Sequence, residues 1–238
     1  MVKKSDGNFG NVISFHSFAY SIMAETDIKE RIKHAAHELV MKYGIRSVSM
    51  DDIAASVGMS KKTLYLYYQD KDELVEAVVE GVVVENQYVC NGHVHSADNA
   101  IHEIFLAMQM MVEMFQTMNP SIIFEMQKYH PLAYQSFHQH KTKFLHNMVQ
   151  KNLQRGLVEE LYRPDINVQI LARFRVESMF IPFNPDFQHS LNKYTLLELE
   201  EQIITNFLFG LVSAKGYKLA IKYMAEKEKQ FQKNNEKI

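Results

Sequence analysis

Residues 44–76 read GIRSVSMDDIAASVGMSKKTLYLYYQDKDELVE, and this stretch decides the fold. Two short helical patterns meet at a four-residue turn, Val57-Gly58-Met59-Ser60. The second pattern opens with Lys61, Lys62 and Thr63 and continues into Tyr65, Tyr67 and Tyr68. A helix-turn-helix whose second helix carries cations, a hydroxyl and rigid phenols is dressed for a DNA major groove.

Working outward, Asp27 reads as an N-cap with Glu30 three residues later, the spacing of a capping box. Ile32, Ala35, Ala36, Leu39 and Val40 then recur at helical spacing, and Gly44 supplies the stop. Ser49 caps the second helix with Asp52 at its third position, and Ser60 caps the third. Leu64 and Tyr68 share the third helix's inward face, so Tyr68 reads as core, whereas so short a helix cannot also bury Tyr65. Asp70 and Glu73 open a longer helix from Lys71 to about residue 87. Further helices are expected near 98–118, 120–129, 131–155, 165–181, 195–212 and 217–232. The stops fall at Asn91-Gly92, Asn119-Pro120, His130-Pro131, Gly156, Arg163-Pro164, 182–194 and Lys215-Gly216.

The chain has 238 residues, 47% apolar, with only 9 Gly and 5 Pro, which favours a helical protein over a loop-rich β protein. The net charge of −2 excludes a generic polyanion binder. Residues 26–80 hold 8 Lys and Arg against 10 Asp and Glu, so DNA affinity has to come from placement. No apolar run is long enough to cross a bilayer. Residues 1–25 read as an extension, either tag-like or non-native, with Met23 as a candidate start. Lys3 and Lys4 before a partly apolar stretch imitate a signal peptide, but Asp6, Asn11, Ser14 and His16 interrupt it. A single cysteine, Cys90, rules out an intramolecular disulfide and fits a reducing, cytoplasmic setting.

A recognition helix meets DNA with its first turn, where free N–H groups and the helix dipole favour phosphate. Lys61, Lys62, Thr63 and Tyr65 are therefore the candidates for base reading. Arg46, Ser47, Ser60, Tyr67 and Lys71 are the candidates for phosphate positioning.

The span Thr26–Gln87 resembles the DNA-binding domain of the tetracycline-repressor (TetR/AcrR) family. The resemblance rests on Ile32 with Ala35-Ala36, Tyr43-Gly44, Ser49-Met50-Asp51-Asp52-Ile53-Ala54, Val57-Gly58-Met59-Ser60-Lys61, Thr63-Leu64-Tyr65, and Lys71, Glu73 and Leu74. It implies an all-α homodimer. Residues 26–86 would be a three-helix head, with its helix-turn-helix at about 49–68. Residues 87–238 would be a helical ligand-binding and dimerisation body. On the family's pattern Thr63, Tyr65, Tyr67 and Lys71 touch DNA, and Tyr68 is buried. Lys62 departs from the small residue or proline common at its position.

Residues 105–126, FLAMQMMVEMFQTMNPSIIFEM, are rich in Met and Phe. Met108, Met111, Phe115, Phe124, Phe137, Phe144, Phe174 and Met179 are read either as bundle core or as the lining of an adaptable apolar pocket. The helices near 165–181 and 195–212 are read as the dimer surface, with Ile203, Phe207, Leu208 and Leu211 as an apolar stripe there, the alternative being that this stripe packs within its own subunit. The groups Cys90/His93/His95 and His138/His140 are weak evidence for a zinc site, and solvated or hydrogen-bonded histidines are the expectation. No nucleophile elbow or phosphate-cradling Gly loop is present, so no enzyme and no cofactor is expected. The whole reads as a ligand-responsive repressor, binding a near-palindromic operator as a homodimer and released by a small hydrophobic effector. Its rivals are a non-sensing chromosome-organising protein with the same head, and a small-molecule or metal module that has lost DNA binding.

Overall fold

The structure, a computed structural model, describes residues 28–235. The extension at 1–25, Met23 and the Asp27 cap lie outside the described residues. Twelve α-helices follow in order: α1 (Ile28–Tyr43), α2 (Met50–Ser56), α3 (Lys61–Leu64), α4 (Lys71–Ser96), α5 (Ala100–Phe115), α6 (Ile122–Tyr129), α7 (Pro131–Gln139), α8 (His146–Val158), α9 (Val168–Ser178), α10 (Pro185–Ser190), α11 (Leu196–Leu211) and α12 (Ala214–Asn235). A π-helical turn, His140–Leu145, joins α7 to α8, and a 3-10 turn, Ile181–Phe183, precedes α10. No β-strand occurs among the described residues; Tyr162 and Val212 form one isolated bridge.

The first helices start and stop for local reasons. α1 buries Ile32, Ala36 and Val40 at four-residue spacing. It ends at Gly44, whose φ of +85° suits glycine and whose N–H donates to Val40 O at 2.9 Å. Ser49 and Asp52 form a reciprocal capping box on α2. Ser60 Oγ accepts the Thr63 N–H at 3.1 Å to start α3. Asp70 accepts the Glu73 N–H at 2.8 Å to start α4.

Three expectations are corrected. α4 does not stop at Asn91-Gly92 but runs on to Ser96. A mid-helix glycine costs only about 1 kcal/mol, too little to end a helix held along its length by packing. The real stop comes at Ala97, and Asn99 then caps α5 through the N–H groups of Ile101 and His102. The expected division after residue 86 therefore falls inside one helix. The span 131–155 is not a single α-helix, because the π turn interrupts it and sets His140 inward. The stretch 182–194, read as a break, contains the 3-10 turn and α10.

Two cores result. The first joins α1, α2, α3 and the start of α4 around Ile32, Ile45, Ile53, Leu64, Tyr68 and Leu74, and it also takes Ile122, Met126 and Ala133 from α6 and α7. The second joins α5, α8, α9, α11 and α12 around Ile101, Leu153, Ala172, Ile204, Leu208 and Leu211. α4 passes from the first core into the body. α6 packs against the head while its helix belongs to the later part of the chain.

Candidate nucleic-acid interface and an apolar cavity

The first turn of α3 lies on the surface. Ser60, Lys61 and Lys62 are exposed, Thr63 is half-buried, and Tyr65 is 42% exposed. Leu64 and Tyr68 point the other way, both essentially inaccessible, and anchor the helix in the first core. Tyr68 Oη donates to Lys29 O at 3.3 Å, which satisfies the one polar atom of a buried ring. The helix thus has a packed side and a wet side, and the base-reading candidates share the wet side.

Each of these residues has local partners. The Thr63 and Ser60 hydroxyls are 2.8 Å apart, so the cap fixes the Thr63 rotamer. Lys61 Nζ pairs with Asp51 of α2 across an exposed gap, and its hydrogen bond to that carboxylate raises the Lys61 pKa. That surface pair can be exchanged for a phosphate with little structural consequence. Lys62 extends from the same turn. Ser47 is exposed at the α1–α2 connection. Leu66, which the sequence reading passed over, is the most exposed large apolar residue of this patch at 78%. Its neighbours 65 and 67 drew attention as tyrosines, and nothing in periodicity marks an outward leucine.

Three positioning candidates, Lys71, Tyr67 and Arg46, have contacts within the chain. Lys71 is turned inward: its Nζ donates to the Ile45 and Val48 carbonyls and closes the α1–α2 connection, and burial lowers its pKa. These bonds satisfy two carbonyls of the connection that would otherwise lack donors. Tyr67 packs partly against the first core. Arg46 is exposed, but its N–H donates to Glu125 Oε2 of α6 at 2.9 Å and its guanidinium lies 5.8 Å from the Tyr129 ring. It therefore stands at the junction of head and body. The Asn119 N–H donates to Met41 O at 2.6 Å, and His130 Nδ1 lies 2.6 Å from Asp72 Oδ1 across the same junction.

A cavity of about 260 Å³ runs along α4. Its wall includes Val82, Val83, Ile104, Met110, Met111, Met114, Phe115, Ile122, Ile123, Met126, Phe137, Met179, Phe180, Phe183 and Phe207. Of the pocket residues expected from sequence, Met111, Phe115, Phe137 and Met179 line it. The other four do not. Met108 is packed in the second core, and Phe124 and Phe174 are 42% and 54% exposed. Phe144 stacks on His140 with centroids 5.2 Å apart. Helical spacing gives a face but not which side of a bundle that face meets.

Polar groups border the cavity too. Arg175 Nη2 donates to Glu200 Oε1 at 2.7 Å, and the two side chains are 4% and 0% exposed. Burial raises Glu200 to about 6 and lowers Arg175. Burial pushes the Cys90 thiol up to about 12 and His140 down to about 4, so at neutral pH one is a thiol and the other a neutral imidazole. Cys90 Sγ lies 3.6 Å from Asn86 Oδ1. Cys90 and His93 sit within α4 itself rather than in a loop. No group of three or more His, Cys, Asp or Glu able to hold a metal occurs among the described residues.

Of the two readings of the α11 stripe, packing within one subunit accounts for most of it. Phe207, Leu208 and Leu211 are buried within their own chain, and Ile203 is partly buried. The outward apolar surface in this region is on α9, where Ile170 and Phe174 are 65% and 54% exposed. The inward side of α11 is already used by the second core.

The sequence model of the bacterial regulatory proteins of the tetR family matches residues 32–78, which span α1 through the first part of α4. The match gives residues 32–78 a tetR-type DNA-binding head. The tetR-type head is shared with sequence relatives. The uncharacterized HTH-type transcriptional regulator YvaF of Bacillus subtilis (strain 168) is 32% identical over 102 residues, 42% of this chain and 53% of that protein. An uncharacterized HTH-type transcriptional regulator of Haemophilus influenzae is 38% identical over 53 residues, 22% of this chain and 28% of that protein. The chain spans about half the length of YvaF and less of the other. Among solved structures, the reduced form of E. coli NemR aligns with a TM-score of 0.65 at 12% identity, covering 79% of this chain and 98% of that one. A TetR-family regulator from Agrobacterium tumefaciens aligns at 0.64 and 14% identity, covering 78% and 97%. These likenesses are of fold alone, and they extend across the body. No helix among the described residues is long and apolar enough to cross a membrane.

Proposed function

We propose that this protein is a DNA-binding transcriptional regulator, a homodimer that represses from a near-palindromic operator and is released by a small apolar effector. The observation that carries the reading is the division of α3. Leu64 and Tyr68 lock it into the head, while Ser60, Lys61, Lys62, Thr63 and Tyr65 face solvent together. In a two-fold dimer two such helices would lie about one helical turn (~34–36 Å) apart. Ile170 and Phe174 on α9 supply an apolar face suited to a self-complementary contact. The reading places the protein in the cytoplasm with its DNA.

The effector would act through α4 and α6. Both line the cavity, and both hold the head: α4 through Leu74 and Val78 in the first core, α6 through Glu125 on Arg46. A ligand that fits one arrangement of these helices better than another shifts the head by that difference in affinity and no more. A cavity of this size favours the sensing reading over a non-sensing chromosome organiser. The test is a fluorescence-anisotropy titration on tiled DNA from upstream of the gene, with the Thr63→Ala/Tyr65→Ala variant beside the parent. Binding to one fragment that is lost in the folded variant supports the proposal; equal binding to every fragment counts against it.

A further inference from the structure

The cavity wall is apolar and adaptable, built from methionines such as Met110, Met111 and Met114 with Phe115 and Phe183. One lining group does not fit that description. Glu200, on α11, is fully inaccessible, and its Oε1 accepts from Arg175 Nη2 at 2.7 Å. Its Oε2 is buried and has no hydrogen-bond partner among the described residues. Two other polar groups at the wall are matched within the chain. Asn152 donates to Ala100 O and accepts from Tyr162 Oη, and Glu103 faces Arg155. A buried acceptor without a donor is costly, and a ligand that brings the donor recovers that cost.

Charge narrows the chemistry. Arg175 and Glu200 already neutralise each other, with Arg175 also set 5.8 Å from the Phe207 ring. A charged ligand would bring an unbalanced charge into an apolar space, which is strongly unfavourable. Size narrows it further. A cavity of about 260 Å³ exceeds the ~150 Å³ that holds benzene and falls just short of the ~300–1,000 Å³ of drug-sized sites.

We infer that the cavity takes a neutral, apolar molecule of about one to two rings bearing a hydrogen-bond donor, and that Glu200 Oε2 receives that donor. This rests on the reading of the cavity as the effector site. The donor then reports on α9 and α11 together, since Arg175 and Glu200 belong to one on each side.

The test is isothermal titration calorimetry on the full chain at pH 7.5 with 2-naphthol, naphthalene, 2-methoxynaphthalene, 2-naphthoate and 2-naphthylmethylammonium. Two variants accompany the parent: Glu200→Gln, and Arg175→Met/Glu200→Met, which removes the pair without stranding a charge. A hydrogen bond to a charged acceptor is expected to favour 2-naphthol over naphthalene and the ether by about ten- to a hundredfold. In Glu200→Gln, which keeps a neutral acceptor, that ratio should shrink, and in Arg175→Met/Glu200→Met it should fall to about one, while naphthalene binding persists in both. Equal binding of the three neutral probes to the parent would overturn the assignment of Glu200 and leave the effector cavity standing. Tightest binding of the naphthoate or the ammonium would overturn the neutral-donor class. No binding by any probe would overturn the effector cavity itself, and this inference with it.

Discussion

Glu125→Ala should loosen the joint between head and body. Glu125 Oε2 accepts the Arg46 N–H at 2.9 Å, and Oε1 accepts from Ser121 Oγ at 2.9 Å. The first bond spans 79 residues of sequence and ties α6 to the connection that follows α1. Gly44 lies against the same carboxylate, close enough that an added Cβ would be 3.2 Å from Oε2. Hydrogen bonds to charged groups contribute about 1.5–3 kcal/mol each when shielded. Arg46 is exposed and Glu125 only half-buried, so the pair together is expected to contribute about 1–3 kcal/mol. For a chain of this size each kcal/mol lowers Tm by about 2–4 °C, which gives a fall of ~2–12 °C. Differential scanning calorimetry reads the fall. Amide hydrogen exchange by NMR locates it, because the Arg46 N–H should lose protection while the α5 and α11 amides of the second core keep theirs. Glu125→Gln, which retains a neutral acceptor, should lie between. An unchanged Tm with Arg46 still protected in Glu125→Ala would refute the joint.

Three other outcomes are expected. Gly216→Ala should cost about 3 kcal/mol or more, since a Cβ there would meet Leu161 O at 2.0 Å; Gly92→Ala, which meets nothing within 4 Å in mid-helix, should be neutral or stabilise by up to about 1 kcal/mol. Thermal melts of both variants check the pair, and equal effects would contradict it. Cys90, with its thiol pushed up to about 12, should resist Ellman's reagent in the native protein at pH 7.5 and react fully in denaturant; rapid stoichiometric reaction of the native chain would be inconsistent with its burial. Glu200 is raised to about 6 from an ordinary 4.5, so the folded state holds a proton that the unfolded state releases. Its contribution to stability therefore falls as pH rises from about 4.5 to about 6 and is level above that. Subtracting the Tm profile of Glu200→Gln from that of the parent should show this limb, and a flat difference would count against it.

The head was legible because its signals are local. Ser49, Ser60 and Asp70 are caps that act within three residues, Gly44 needs its positive φ, and Leu64 with Tyr68 falls on one face of a single short helix. Each of these is decided by chemistry a few residues wide. What was not legible depends on what lies across space. Nothing local shows that Lys71 reaches the Ile45 and Val48 carbonyls. Phe174 carries the same apolar signal as Phe115, yet one faces out from α9 and the other lines the cavity. Phe207, Leu208 and Leu211 form a stripe that fits a second subunit or the same chain equally well by spacing, and it meets the second core of its own chain. The Glu200–Arg175 pair joins residues 25 apart with no motif to announce it. Asn91-Gly92 shows the opposite error, a strong local turn signal overridden by a helix packed along its length.

The central claim is that the wet side of α3 reads DNA sequence. The most direct measurement is the ratio of affinities for the best upstream fragment and for a base-shuffled copy, by anisotropy at 50 mM and 200 mM salt, for the parent and Tyr65→Ala. A sequence reader should prefer the true fragment by about a thousandfold or more at the higher salt, with the preference reduced in the variant. Equal affinity for both fragments, falling steeply with salt and unchanged by Tyr65→Ala, would mean phosphate attraction alone and would contradict the account.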